Sequence, residues 1–307
     1  MTDTLALSPL ETRNHRSVSL PFLRIDPRGD VLPLGLSTSS VSLTIANDIR
    51  NMTSGIKVVK EDYEVDRLLF RWRKGLGKHF DLTVDLPILN RGGGFLDTLI
   101  DSWHQNVLQI HGNIRQGVPY GRSEVIVPGS GRFGSAGGVG DVSLAVARQF
   151  SPQIQGTIAL KAPTASSSKL LGSGGWDAAF SAQTWVPLGP NTRIYGQIGV
   201  VAQGSATFLK GKRDWVHQES LSFVTAPNRR DCWILQWQGE ASALRTFVAG
   251  SDSTHRTLSL ALRRAINPRD QITAFFTEDG DWLNYRVPEL VNIGPDITIG
   301  IQLTRRW

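Results

Sequence analysis

The chain has 307 residues, a formal net charge of +6, 40% hydrophobic residues and one cysteine, Cys232. No uninterrupted apolar run approaches the roughly 18 residues that a membrane-spanning helix needs, and a single cysteine excludes a disulfide framework. The charges are scattered and form no basic run or recognisable motif, so nucleic-acid binding is not predicted.

The first 36 residues form the first predicted unit. Met1 to Pro9 has neither a positive n-region nor a long apolar stretch, so the sequence as written shows no secretory signal peptide. A signal would therefore have been removed or would lie upstream. Residues 1–36 combine Pro21, Pro27 and Pro33 with short apolar clusters. They predict an irregular segment that lies either in a barrel lumen or in the periplasm, ahead of a barrel over residues 37–307.

The remaining chain alternates between apolar and polar residues with the two-residue period of β-strands. At the C-terminus, for example, Ile299 and Ile301 alternate with Gly300 and Gln302. A strand so flat and apolar would promote aggregation unless another strand of the chain closed against it. The alternation predicts twelve strands, near 38–47, 65–74, 79–87, 139–150, 154–163, 176–187, 192–203, 214–226, 232–243, 255–266, 271–279 and 296–307.

The connections between these strands alternate in length. Those after even-numbered strands are short and rich in turn residues, at 75–78, 151–152, 189–191, 227–231 and 267–270. Those after odd-numbered strands are longer, at 48–64, 88–138, 164–175, 204–213, 244–254 and 280–295. This pattern predicts an all-β fold, a transmembrane antiparallel β-barrel of about twelve strands in the bacterial outer membrane. A secreted all-β protein is the alternative.

The last residue, Trp307, ends the C-terminal strand. A final strand of alternating aliphatic residues that ends in an aromatic residue resembles the assembly signal of bacterial outer-membrane proteins. The resemblance implies two partners, the barrel-assembly machinery and the lipid bilayer.

The longest connection, 88–138, predicts a short helix at about 92–105 in an extracellular loop. On this helix Asp97, Asp101 and His104 would share one face. The opposite, apolar face would consist of Phe95, Leu96, Leu99, Ile100 and Trp103. Three interpretations stay open: the acids pair with basic residues of the lumen, the three residues hold a divalent cation or ligand, or they act as a catalytic acid and base. We expect the apolar face to dock inside the barrel mouth, so that the helix narrows the outer half of the lumen.

Charged residues of both signs also occupy positions that should face the lumen. Arg67, Arg71 and Arg73 of the second strand should face Asp81 and Asp85 of the third, because a tight turn joins the two strands. This ladder is either structural or a rail for anions. Lys161 of the fifth strand is a further candidate for the lumen. Twelve strands predict a lumen that is narrow or closed.

Several short motifs resemble a bacterial outer-membrane family known as domain of unknown function 3187. They lie at residues 86–88, 92–97, 100–104, 138–141, 160–164 and 172–177. The resemblance covers about residues 35–205, with departures at Gln105, Asn106 and Ala162. It implies a barrel and implies no activity.

Two classes of function follow from these observations. The first is a narrow channel or transporter for small polar or anionic solutes, with no cofactor and no metal. The second is a non-transport barrel, structural, binding or hydrolytic, that works through its extracellular loops. An enzyme is not favoured, because no histidine has a serine partner at the spacing of a known catalytic motif.

Overall fold

The computed structural model describes residues 5–106, 119–248, 250–278, 295 and 297–307, without the side chains of residues 103 and 104. The elements in chain order are β1 (Ser37–Ser54), β2 (Lys57–Gly75), β3 (Phe80–Gly92), α1 (Leu96–Asn106), β4 (Glu124–Val127), β5 (Gly131–Phe133), β6 (Ala136–Val139), β7 (Ser143–Ser151), β8 (Ile154–Lys161), β9 (Asp177–Gly189), β10 (Thr192–Ala202), β11 (Trp215–Thr225), β12 (Asp231–Glu240), β13 (His255–Ala265), β14 (Asp270–Glu278) and β15 (Ile297–Arg306).

Twelve of these strands form a closed antiparallel barrel. β1 pairs with β2 on one side and with the last strand, β15, on the other. Main-chain hydrogen bonds between Ser37 and Trp307 complete the closure. The three short strands β4, β5 and β6 belong to the connection between β3 and β7, where β4 extends the sheet beside β2 and β6 pairs with β3. The prediction of a twelve-stranded barrel with one short helix is confirmed.

The barrel wall is apolar outside and polar inside. In β1, Val41 and Leu43 are exposed on the outer face, whereas Ser40, Ser42 and Thr44 are buried on the inner face. Exposed tryptophans lie at both ends of the wall: Trp176 and Trp215 at the end of the long connections, and Trp72, Trp233 and Trp307 at the end of the tight turns. An apolar band between two aromatic girdles is the surface that a bilayer requires.

One of the long connections differs from the prediction. Residues 48–64 are not a loop, because β1 and β2 continue through them and meet at a tight turn around Gly55, whose φ is +59°. This part of the hairpin was missed because its outward positions are largely polar, as Lys60 and Asp62 illustrate, so the apolar alternation ends. Of the predicted connection 280–295, all but the last residue lies outside the described residues.

The N-terminal segment, residues 5–36, lies inside the lumen. It bonds to inward side chains from strands on every side of the barrel, including Asp81 of β3, Gln149 of β7, Asp177 of β9, Gln218 of β11 and Arg263 of β13. A segment that touches the inner faces of opposite walls of a closed barrel must lie between them. The division of the chain into two domains at residue 36 stays a prediction.

Candidate functional site

Inward glutamines hold the main chain of the N-terminal segment. Gln236 accepts a hydrogen bond from the Leu10 amide and donates one to the Leu10 carbonyl, both 3.0 Å long. Gln183 holds Arg28 in the same way, accepting at 3.0 Å and donating at 2.6 Å. An irregular segment leaves its peptide groups without ladder partners, and a primary amide can satisfy a donor and an acceptor together. These inward glutamines therefore supply hydrogen bonds that regular secondary structure would otherwise provide.

Buried ion pairs add a second set of contacts between the segment and the wall. The Nε atom of Arg16 lies 2.8 Å from Glu61 of β2, and both side chains are at most 1% exposed. Arg24 pairs with Glu240 of β12 at 2.8 Å, and Arg28 with Asp81 of β3 at 2.5 Å. Each pair joins a cation of the segment to an anion of the wall, so release of the segment would leave buried charges to be hydrated.

The predicted ladder of charges between β2 and β3 exists. Arg71 bonds to Asp85 at 2.6 and 2.7 Å, as their direct pairing across the hairpin requires, and Arg73 bonds to Asp81 at 2.8 Å. The third arginine of the row, Arg67, is also buried.

The ladder also has partners that the sequence did not indicate. Arg71 reaches Glu11 and Asp26 of the N-terminal segment, each at 2.9 Å. Acidic residues of the N-terminal segment therefore pair with the row of arginines that the sequence left open as a binding surface for anions.

The helix α1 lies on the outer face of the barrel. Leu96 and Ile100 pack with Ile45 of β1 and with Ile297 and Ile299 of β15. Ile45 is two residues from the exposed Leu43 and so shares its outward face. The side chain of Asp97 accepts a 3.0 Å hydrogen bond from Asn47, the next outward residue of β1, and a 2.8 Å bond from the amide of Gly121.

The prediction that α1 constricts the lumen is therefore wrong. Asp97 bonds to the outer wall, and Asp101 accepts a 2.7 Å hydrogen bond from the hydroxyl of Tyr120, so neither acid approaches the inward arginines. Of the predicted apolar face, Leu96 and Ile100 do dock, but on the outer wall. Phe95 and Leu99 are instead 67% and 58% exposed. The lumen is already filled by the N-terminal segment. For His104 the helical backbone is described and the side chain is not.

The interpretation of the helix as a metal site stays a prediction, because the side chain of His104 lies outside the described part of the chain. Within the described part of the chain, no group of three or more His, Cys, Asp or Glu side chains is arranged to hold a metal ion.

The mouth at the end of the long connections is closed by an apolar cluster. Its members come from the tip of the N-terminal segment, from the upper wall and from inward-folded connections: Val18, Leu20, Phe22, Tyr63, Val65, Leu89, Leu170, Leu171, Leu209 and Leu244. Below this cluster, two cavities between the segment and the wall measure about 30 Å³ each. Each has room for a water molecule or two and for no larger solute.

The end of the tight turns instead contains an open, basic vestibule. This cavity measures about 940 Å³ and is lined by eight arginines and three carboxylates. The arginines are Arg71, Arg73, Arg193, Arg229, Arg230, Arg263, Arg269 and Arg306, and the carboxylates are Glu11, Asp30 and Asp270. Cationic walls of low dielectric raise the local concentration of anions. The vestibule is thus a sizeable cavity that could receive an anionic solute.

Comparison with known proteins agrees with this architecture. The sequence pattern of DUF3187, a family of proteins of unknown function, matches residues 23–231. The chain belongs to this family. A comparison with curated protein sequences finds no significant match.

Solved structures show what the DUF3187 chain is similar to in fold. The COG4313 outer membrane channel from Pseudomonas putida F1 matches with a TM-score of 0.56 and 14% identity, over 92% of this chain and 100% of that one. The translocator domain of the autotransporter NalP from Neisseria meningitidis gives 0.48 and 8%, over 90% of both chains. The toluene transporter TbuX from Ralstonia pickettii gives 0.45 and 10%, also over 90% of both. The fold is that of an outer-membrane β-barrel.

Among the described residues, no helix is long and apolar enough to cross a membrane. The one helix described, α1, has 11 residues.

Three stretches that carried the resemblance to DUF3187 meet around Lys161. Its ammonium lies 2.5 Å from Asp141, 3.5 Å from Asp177 and 2.6 Å from the hydroxyl of Ser173. These residues come from the break between β6 and β7, the start of β9 and the connection between β8 and β9. Lys161 faces inward as predicted, but it is enclosed by its partners and fixes the folded connection.

Trp307 lies at the end of the tight turns, as predicted. Its ring nitrogen donates a 3.2 Å hydrogen bond to the hydroxyl of Ser39, its ring lies 5.4 Å from the guanidinium of Arg305, and it is 61% exposed. Its role as an assembly signal stays a prediction.

Proposed function

We propose that the chain is an outer-membrane channel for small polar, chiefly anionic, solutes, and that residues 5–36 close it in the state described. The observation that carries the proposal is the basic vestibule, which opens at the end of the tight turns and leads to a lumen walled by polar side chains. A purely structural barrel would have no need of a cavity of about 940 Å³ with so large an excess of arginine. The barrel itself lies in the lipid bilayer.

The course of the segment supports its role as a removable gate. Residues 5–8 and 29–33 both line the vestibule, whereas Val18, Leu20 and Phe22 reach the apolar cluster at the other mouth. The segment therefore enters and leaves the lumen at the same end of the barrel and forms a loop inside it. Such a loop can withdraw without being threaded through the barrel.

The contacts that hold the segment also suit reversible closure. Away from the apolar side chains they include many hydrogen bonds and ion pairs along its length, such as those of Arg24 and Arg28. Water can replace such partners when the segment withdraws, because an intramolecular hydrogen bond contributes only about 0.5–1.5 kcal/mol beyond the bond to water that it displaces.

The preference for anions is tested by reversal potentials in a KCl gradient, measured on a variant that lacks residues 5–36. We expect chloride to permeate better than potassium, and we expect the ratio to fall when Arg229, Arg230 and Arg269 at the vestibule are replaced by glutamine. Arg132→Gln, an exposed residue at the other end of the barrel, is the matched control. Preference for potassium, or a ratio that the three substitutions leave unchanged, would contradict the proposal.

One observation favours a second candidate, a barrel that does not transport. The apolar cluster seals the mouth at the end of the long connections with side chains from several of them, including Leu171, Leu209 and Leu244. If this seal is permanent, the loops carry the function and the lumen is only a core. Absence of any conductance after removal of residues 5–36 would favour this alternative.

A further inference from the structure

The outer surface of α1 has three differently composed sides. One side, formed by Leu96, Asp97 and Ile100, is buried against the barrel. A second side exposes the large apolar residue Leu99, and Phe95, directly before the first helical residue, is exposed as well. The third exposes the polar residues Thr98, Ser102 and Gln105. Asn106, in the last turn, lies on the same side as Leu99. A helix with one face on protein, one apolar and one polar matches the boundary between a membrane protein, hydrocarbon and water.

The lipid-facing band of the barrel continues to the foot of this helix. On β1 the exposed Val41 and Leu43 are followed by Ile45, which the helix covers. On β15 the exposed Ile301 lies two residues from Ile299, also covered by the helix. Two residues of a strand span about 6–7 Å. The side of α1 that packs on the barrel therefore lies within that distance of the exposed apolar residues of the wall.

The helix is firmly attached at this level. Glu64 of β2 accepts hydrogen bonds from the amides of Phe95 and Leu96, at 3.1 and 2.9 Å, and so caps the N-terminus of the helix. Asp97, in the first turn of the helix, bonds to Asn47 of β1. Gly94, with φ at +60°, makes the turn into the helix against the Glu64 side chain. The exposed apolar side is thus presented by a fixed element.

We propose that α1 is an interfacial membrane element, with Phe95 and Leu99 inserted among the acyl chains of the outer leaflet. The helix covers the seam where the first and last strands, β1 and β15, close the barrel. It adds apolar surface at that seam. At this level of the wall, the outward residues of β1 change from apolar, at Ile45, to polar, at Asn47. This inference does not depend on whether the lumen conducts.

Spin-label accessibility in proteoliposomes tests the proposal. The single native cysteine is removed as Cys232→Ser, and a nitroxide is attached in turn at Leu99→Cys, Leu43→Cys and Ile56→Cys. Position 43 reports the lipid-facing band, and position 56, which is 100% exposed at the tip of the β1–β2 hairpin, reports water. Collision rates with oxygen, enriched in hydrocarbon, and with a polar nickel chelate, enriched in water, give the depth of each label.

We expect the ratio of oxygen to nickel collisions at position 99 to equal that at position 43 and to exceed that at position 56 severalfold. A label at Thr98→Cys, on the polar side of the same helix, should give a lower ratio than position 99. A ratio at position 99 equal to that at position 56 would overturn the proposal. So would dipolar broadening between labels at position 99, which would show that a second copy of the chain covers this face. Heat-modifiable migration on gels confirms that each variant is folded.

Discussion

Breaking the ion pair between Arg16 and Glu61 should release the N-terminal segment. Arg16 donates to both carboxylate oxygens of Glu61, at 2.8 and 2.9 Å, and also bonds to Ser251. Arg16→Met leaves a carboxylate that is 0% exposed without its counter-ion. Removal of one partner of such a pair costs about 3–5 kcal/mol. The equilibrium between bound and released segment should shift by on the order of 10²- to 10³-fold, since about 1.4 kcal/mol is a factor of ten.

Labelling of a cysteine in the segment measures this equilibrium. In the Cys232→Ser background, Ser17→Cys places a thiol at a position that is 1% exposed while the segment is bound. A charged maleimide should label it on the order of 10²- to 10³-fold faster in Arg16→Met, in proportion to the released fraction. The double variant Arg16→Met, Glu61→Met should label close to the parental rate, because no unpaired charge remains.

The matched control is Arg132→Met. Arg132 also forms a short ion pair, 2.7 Å from Glu124, but its side chain is 71% exposed. Such a surface pair contributes about 0–1 kcal/mol, so the labelling rate should barely change. Equal labelling rates in Arg16→Met and Arg132→Met would refute the idea that buried charge pairs hold the segment.

Three further predictions follow from the same structure. Deletion of Trp307 should lower the amount of protein in the outer-membrane fraction, and an unchanged amount would contradict its role in assembly. Burial holds the pKa of His15 well below its ordinary value of 6.5, so the bound segment excludes a proton that the released segment accepts. The stability of the bound segment should be complete above about pH 6.5 and fall by about 1.4 kcal/mol per pH unit below it. This loss should be seen as faster labelling at low pH, and His15→Gln should abolish the effect. Lys161→Met should lower the melting temperature, because it leaves Asp141 and Asp177 buried without their cation; an unchanged melting temperature would show that the cluster is not structural.

The barrel could be predicted from the sequence because a bilayer imposes one rule on every strand. Outward positions must be apolar, so β15 and its neighbours carry a period of two that needs no knowledge of the tertiary structure. The contact between Arg71 and Asp85 was predictable for a similar reason, since a tight turn sets the register of a hairpin. Beyond the bilayer, outward positions need not be apolar. The alternation therefore did not predict the parts of β1 and β2 next to the turn that joins them.

The sequence could not decide between the lumen and the periplasm for the N-terminal segment, because the partners of the segment are spread over the whole barrel. Gln183, Gln218 and Gln236 lie on three different strands, and each is an ordinary inward polar residue when its strand is considered alone. Only the closed fold brings them to one irregular chain. A repeated glutamine at inward positions was the available signal.

The helix shows a different limit. Its existence follows from local periodicity, but the choice between the inner and outer faces of the wall does not. Leu96 and Ile100 would fit either an apolar mouth or an apolar outer wall, and the sequence does not indicate which surface is free. The decision depends on residues 5–36, which already occupy the lumen.

Single-channel conductance in planar bilayers, compared between the full chain and a variant without residues 5–36, tests the central claim most directly. We expect the full chain to be closed almost all the time, with rare openings, and the shortened chain to conduct continuously. Both proteins must show heat-modifiable migration on gels, so that a loss of folding is not mistaken for a closed pore. A shortened, folded barrel that remains electrically silent would contradict the claim that this segment closes a channel.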